Sequence, residues 1–445
     1  MFMHNPASIG DAQQKASTVR VVSSVFALLD RESISYCLVH GYEGLPQHTG
    51  SDIDIIIARD MSADRMLSLF SQNQAAIGAA VVRARGLFIT FRATAANGLP
   101  LFITFDFCAD YTHGPLLIST SEALLAKRRR CRDFWVAAPE DQFRCRLLRA
   151  LLKNGLDTGT CARLSALYLE APKNAVASLT KDWSSIDASA FGAAAAAGQW
   201  SGIVVRSSEL AAELRSRLRK MARGHFIRSR INQQAGRARR IFKPEGINVV
   251  LLGPDGAGKS STIAALETVL APLFSECEIR GFAPTLKQLL RRSPSSTSTP
   301  HALKPRSLPT SLLRAGWWTI YGLFSHVILR WDRIRSRLIL NDRHFVDILV
   351  DPVRYRYGGP RWLLALIWRI MPKPDHVILL HGPADILQAR KRELTVEETA
   401  RQCRDYEALV RPMKNSHIVD ATLPFHDVVG NITDLLLARI IRSSR

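Results

Sequence analysis

The chain alternates short β-branched runs, bounded by glycine, proline, asparagine and aspartate, with longer stretches in which apolar residues recur every three or four positions. In its carboxyl-terminal part, the runs Ile247–Leu252, Cys277–Phe282, Arg337–Asn341, His376–His381 and Ser416–Asp420 read as buried strands, with helices from Ala384 and Asp427. That alternation predicts an α/β fold, a doubly wound parallel sheet with its site at the carboxyl ends of the strands. Near the amino terminus, Tyr36–His40 and Ser51–Ile57 read as strands separated by a turn over Gly41–Pro46, and Leu101–Phe107 as the second arm of a hairpin turned at Asn97–Gly98. From Pro115 to about Asp187 the spacing turns helical, most clearly in Asp141–Leu152. Leu214–Pro244 then holds eleven Lys or Arg and no Asp or Glu before Pro244-Glu245-Gly246 opens the next unit. The pattern predicts an α+β domain over 1–112, a helical extension and basic linker over 113–244, and the α/β domain over 245–445.

Between the strand Ile247–Leu252 and a helical run from Ser261 stands Gly253-Pro254-Asp255-Gly256-Ala257-Gly258-Lys259-Ser260, a G-x-x-x-x-G-K-[ST] phosphate loop. Glycines at 253, 256 and 258 let the backbone N–H groups turn inward around a β-phosphate, and the helix N-terminus behind adds partial positive charge. Lys259 would reach the β- and γ-phosphate oxygens, and the Ser260 hydroxyl would join a Mg²⁺ shell. ATP and Mg²⁺ are therefore the expected cofactors, with Gly253, Asp255, Gly256, Ala257, Gly258, Lys259, Ser260 and Ser261 around the nucleotide. Asp342 and Arg343 follow the apolar run Leu338–Leu340. There a carboxylate can order metal-bound water or the attacking oxygen, and an arginine can grip an acceptor phosphate, unless the two form a plain surface ion pair. Arg390, Lys391 and Arg392 lie on a later helix that could close over a triphosphate or simply face solvent.

Over Gly246–Arg445 these residues resemble the thymidylate kinases and thymidylate-kinase-like proteins of the P-loop nucleoside-monophosphate kinase group. The resemblance rests on G-P-D-G-A-G-K-S-S-T, on Asp342-Arg343-His344, on the strand entry Pro372–Asp375 and on the lid Ala389–Glu393. It implies that Asp255 faces the acceptor sugar, that Arg343 contacts the acceptor phosphate, and that Arg390 and Arg392 act over the transferring phosphoryl group, with Lys259 and Asp342 also catalytic. It also implies that an adenine rests on the loop Ala421–Pro424. Where the family continues with a serine and an Ala-Tyr-Gln stretch that holds thymine, this chain has Phe345–Tyr355, so a different acceptor pocket is expected. Ser293–Pro309, rich in Ser, Thr and Pro, reads as a mobile insertion.

In the amino-terminal part Asp52 and Asp54, two apart, project from one strand face, and Asp106 lies on a neighbouring strand. Three carboxylates so placed can hold two Mg²⁺ ions for attack on an α-phosphate. The arrangement resembles the nucleotidyltransferase fold shared with DNA polymerase beta, over about residues 20 to 110. Gly41-Tyr42 stands where that family has Gly-Ser, which leaves open a domain that binds nucleotide without transferring it. Solvent-facing aspartates at a strand start are the simpler alternative.

A net charge of +21 favours polyanionic partners, of which nucleotides are the smallest. No RNA-binding aromatic pattern, zinc spacing or helix-turn-helix accompanies it, so nucleic acid ranks low among expected partners. Leu312–Leu329 approaches a membrane span in length but contains Arg314 and His326. It is expected to be a core or substrate-covering helix, with peripheral membrane contact as the alternative. Met1–Asp11 lacks the basic start and apolar core of a signal peptide, and seven scattered cysteines fit reduced thiols, so a cytoplasmic location is expected. The main expectation is a kinase for a small acceptor. Nucleic-acid end processing and a nucleotide-binding scaffold with little turnover, as in surface polysaccharide synthesis, stay open, as does a homodimer.

Overall fold

A computed structural model describes residues 6–49, 52–153, 155–281 and 306–444. The chain divides into two compact units, Met1–Ala96 with Ile103–Ala238, and Asn97–Phe102 with Arg239–Arg445.

A five-stranded sheet, in the first unit except for the start of its strand β5, takes the order β1-β2-β5-β4-β3, with β1 Tyr36–Cys37, β2 Ile53–Ile57, β3 Ala80–Arg85, β4 Phe88–Thr94 and β5 Pro100–Cys108. β1 runs antiparallel to β2, and β2 runs parallel to β5 with Asp54 opposite Asp106. β4 and β5 are neighbours, joined through Asn97-Gly98, where Gly98 takes φ 80° and Asn97 Oδ1 accepts from Leu99 N at 3.1 Å. Large aromatics close the sheet's covered face: Phe70, on the helix Ala63–Gln72, meets Phe91 edge-on at 5.0 Å, and Phe91 meets Phe105 at 5.6 Å. The Tyr36–His40 strand is shorter than expected, continuing only as a bridge from Leu38 to Val136.

The helical reading from Pro115 onward needs correction. Two hairpins come first, β6 Asp110–His113 with β7 Leu116–Thr120, and β8 Arg129–Cys131 with β9 Phe134–Val136. Leu116–Thr120 and Phe134–Val136 bury alternate residues, a period of two that the neighbouring three-and-four spacing obscured. Helices follow at Pro139–Lys153, Thr158–Glu170, Pro172–Leu179, Ser185–Ala197 and Ser207–Met221. They share one core built on Phe143, Leu147, Leu151, Leu167, Trp183 and Phe191. Inside it Arg144 forms a bidentate pair with Asp182 at 2.6 and 2.9 Å and donates to Ile118 O at 2.9 Å. The basic run beyond is helical through Arg223–Phe242, which has no buried residue.

In the second unit β10 Ile247–Leu252, β11 Cys277–Arg280, β12 Leu338–Asn341, β13 His376–His381 and β14 Ser416–Asp420 form a wholly parallel sheet in the order β11-β12-β10-β13-β14. Every residue of β10 is buried, as a central strand covered on both faces requires. The chain leaves β10 for one side of the sheet and returns to the other, so β10 ends at the switch point where a crevice opens. Asp375 fixes the entry to β13: its Oδ2 accepts from Asn248 N at 2.9 Å and its Oδ1 pairs with Arg333 at 3.1 Å. Phe282, expected to end a strand, and residues 293–305 of the expected insertion lie outside the described residues.

The segment 312–329 lies within one helix, Leu308–Ile334. Of the core or substrate-covering helix expected, the core reading fails: of its 27 residues only Ser311, Ala315, Trp318 and Asp332 are buried, and most of its large apolar side chains face outward, while Tyr321, Gly322, Ser325, His326 and Leu329 line a cavity shared with Asn341, Arg343 and His344. Only a narrow stripe packs, against Phe345, Ile348, Leu364, Ile367 and Met371. Among the described residues no helix is long and apolar enough to cross a membrane.

Asp182→Ala would leave the buried Arg144 guanidinium unpaired. Thermal or denaturant unfolding should show a loss of about 3–5 kcal/mol, and an unchanged midpoint would show that Arg144 finds water instead.

Candidate nucleotide-binding site

β10 ends at Leu252 and the helix Lys259–Leu270 begins after Gly258, so Gly253–Gly258 must reverse the chain within six residues. The backbone approaches its neighbours too closely for side chains at two points. A Cβ on Gly253 would lie 2.6 Å from Leu380 O, and one on Gly256 only 2.1 Å from Leu387 O, with φ of 147° and 84°. The second contact sets the helix Ala384–Arg390 against the loop.

Lys259 is buried, and its Nζ donates to Gly253 O at 2.6 Å and Pro254 O at 3.0 Å. Burial lowers its pKa, opposed by the charges of Asp347, Asp255 and Asp342. Asp255 pairs through Oδ2 with Arg354 at 2.5 Å. Burial would raise that carboxyl, but Arg354 and Lys259 outweigh it and hold the pKa at about 2. Arg343 keeps its charge despite partial burial because Tyr355, Asp347, Asp255 and Asp342 surround it. Asp347 is itself buried, its pKa raised by desolvation, and it accepts from Tyr406 Oη at 2.6 Å and from His344 N at 2.6 Å. The charges gathered on one edge of the sheet thus include three cations, Lys259, Arg343 and Arg354, facing Asp255, Asp342 and Asp347.

Asp342 Oδ1 is buried and accepts no hydrogen bond among the described residues. An orphaned carboxylate oxygen beside a phosphate loop fits a hard cation, and the exposed Ser260 hydroxyl at the helix start is free to supply a second oxygen. Ser261 is likewise exposed and Ala257 buried. Arg390 donates to Ala421 O at 2.8 Å, tying the lid helix to the loop Ala421–Pro424, which an Asp420–Thr422 turn shapes. Arg392 is exposed.

Sequence reasoning passed over Arg354, Asp347 and Tyr406. Asp347 carried a local signal, three residues after the N-cap His344, whose reciprocal bonds close a capping box. Nothing in sequence spacing ties Arg354 to Asp255, 99 positions away.

In the first unit Asp52, Asp54 and Asp106 each offer a carboxylate oxygen within 4.8 Å of the others. Burial, then Asp52 and Asp106, raises the Asp54 pKa to about 6, and burial with Asp52 raises that of Asp106. His40 lies 3.7 Å from Asp54 and 2.8 Å from an Arg149 nitrogen, and burial together with Arg149 lowers its pKa to about 4. Neutral His40 therefore cannot balance the carboxylates. Such a set of hard oxygens suits Mg²⁺ or Mn²⁺. Tyr42, at the position of the resembled family's serine, is buried, with its hydroxyl donating to Gln142 Oε1 at 2.7 Å.

The parallel sheet of the second unit is compatible with a P-loop nucleoside-triphosphatase fold. No family model matches the chain. The chain is similar to the phosphonates import ATP-binding protein PhnC of Anaeromyxobacter dehalogenans (strain 2CP-C), 26% identical over 157 residues, which are 34% of this chain and 32% of that protein. It therefore spans about a third of the length of the curated relative it matches.

Two outcomes follow. Gly256→Ala should push the 387–391 segment off the loop, seen as faster amide exchange over 384–392; unchanged exchange would mean that the Leu387 carbonyl yields without cost. Asp54 binds its proton more tightly folded than unfolded, so its contribution to stability is present below 3.8 and lost as pH rises through about 6. In chelator, the first unit's unfolding midpoint should fall from about pH 5 to about pH 7, and Mn²⁺ should restore it only at the higher pH. Asp54→Asn should flatten the profile, raising the midpoint at neutral pH by about 2–4 °C. A profile unaffected by the substitution would remove the carboxylate repulsion.

Proposed function

We propose that the second unit is an ATP- and Mg²⁺-dependent phosphotransferase for a small acceptor, of the thymidylate-kinase-like kind. The observation that carries this reading is the Arg343, Arg354 and Asp255 group beside the phosphate loop. A hydrolase needs only to position water, whereas two half-buried arginines facing a carboxylate suit an anionic acceptor carrying a hydroxyl. The likeness to a protein named for ATP binding supports the donor half of the reaction.

The loop N–H groups and Lys259 would hold the β- and γ-phosphates, Lys259 exchanging its bonds to Gly253 and Pro254 carbonyls for phosphate oxygens. Arg343 and Arg354 would hold the acceptor anion, with Asp255 released from Arg354 to accept from its hydroxyl. Asp342 and Ser260 would hold Mg²⁺, which offsets the charge of the triphosphate. Arg390 and Arg392 would face the phosphoryl group only if the lid rearranges, since Arg390 is bonded to Ala421 O. An oxygen of that acceptor anion would take the γ-phosphoryl as the bond from the γ-phosphorus to the β–γ bridging oxygen breaks, so that ADP leaves and no proton has to be lost.

For the first unit we infer a nucleotidyltransferase-like metal site on Asp52, Asp54 and Asp106. Their convergence favours end processing of nucleic acid as the second reading of the whole chain. Salt-dependent oligonucleotide binding would distinguish it.

The decisive assay is ADP production with ATP and Mg²⁺ across nucleoside monophosphates, sugars, sugar phosphates and oligonucleotide ends. Acceptor-dependent turnover should fall about 100-fold or more in Lys259→Ala. Arg354→Ala should lower kcat/KM for the acceptor more than for ATP. Tight ATP binding without turnover on any acceptor would favour a scaffold.

A further inference from the structure

The helix Leu308–Ile334 spans about 40 Å at the usual rise per residue. Leu313, Ile320, Phe324, Val327 and Trp331 recur on it at spacings of seven, four, three and four, so they form one stripe. Leu313, Phe324 and Val327 are 75%, 71% and 68% exposed. The helix Arg361–Ile370 packs beside it through Leu364 and Ile367 and repeats the pattern: Trp362, Leu366 and Ile370 are exposed at intervals of four. Apolar exposure on this scale marks an interaction surface.

The charges say what kind. The only acidic residue on either helix is Asp332, which is buried and paired with Arg280 at 2.8 Å and Arg337 at 3.1 Å. Arg330, Arg361 and Arg369 are exposed, as is Lys373 just beyond. Five of the chain's eight tryptophans lie on these two helices, and Trp331 and Trp362 are exposed. Tryptophan is the side chain most suited to the boundary between headgroups and acyl chains, and basic residues beside an apolar stripe draw it to anionic lipid. A second copy fits less well, because a self-complementary interface would set a purely cationic rim against itself in a chain of net charge +21.

We propose that the outward faces of Leu308–Ile334 and Arg361–Ile370 are a docking surface for an anionic bilayer, with Phe324, Trp331 and Trp362 entering the headgroup boundary. The surface does not rest on the phosphotransferase reading, and docking requires no nucleotide.

The test is flotation of the full chain with vesicles of phosphatidylcholine alone or with about 30% phosphatidylglycerol. Anionic vesicles should carry at least about tenfold more protein, less so at high salt, and brominated acyl chains should quench tryptophan emission. Phe324→Asp with Trp362→Asp should cut flotation about tenfold at an unchanged unfolding midpoint, since both side chains face solvent. Arg361→Glu with Arg369→Glu should abolish the preference for anionic lipid and serves if the first pair alters folding. No flotation of the parent chain, flotation without quenching, or a dimer that Phe324→Asp splits while lipid is ignored would each overturn the proposal.

Discussion

A lysine ammonium buried at the edge of a parallel sheet is the constraint on which the second unit is arranged. Lys259 satisfies itself on the carbonyls of Gly253 and Pro254 and on the field of Asp255, Asp342 and Asp347. Asp255 is in turn held by Arg354, and Asp347 by Tyr406 and the charge of Arg343. Removing Arg354 or Asp255 leaves a largely buried charge without its counterpart, a larger penalty than loss of a surface pair. Their mutual charges tie the loop, the end of β12 and the segment after it to one another, the arrangement on which the proposed phosphotransferase reading rests.

The first unit inverts this electrostatic logic. Asp52, Asp54 and Asp106 converge at the carboxylate cluster, where His40 is neutral and Arg149 is shared with Tyr111. Like charges held together by the β2–β5 pairing repel one another, which together with burial pushes the Asp54 and Asp106 carboxyls up. Tyr42, committed to Gln142 and Arg163, is unavailable to a triphosphate there.

Binding energy for a surface is a different matter from binding energy for a site. The helix Leu308–Ile334 packs by a narrow stripe centred on Trp318, and Gly322 lets it approach Met371, where a Cβ would come within 2.8 Å. Its outward face carries Leu313, Ile320, Phe324, Val327 and Trp331, with the exposed Arg330 beside them.

The amino-acid sequence by itself determined the phosphate loop, the five parallel strands and the acidic triplet, because each rests on local periodicity or on a spacing short enough to be read directly. Ile247–Leu252, His376–His381 and Ser416–Asp420 match the strands residue for residue. It did not reveal the hairpins between Asp110 and Val136, whose arms of three to five residues are too short for a period of two to stand out. Nor did it show that the helix over 312–329 turns most of its apolar residues outward, since amphipathicity states that two faces differ but not which is covered. The pairing of Arg354 with Asp255 and of Tyr406 with Asp347 was decided only by tertiary structure. Polar groups separated by 99 and 59 positions meet only once the strands have set the loops side by side, and no local spacing encodes that meeting.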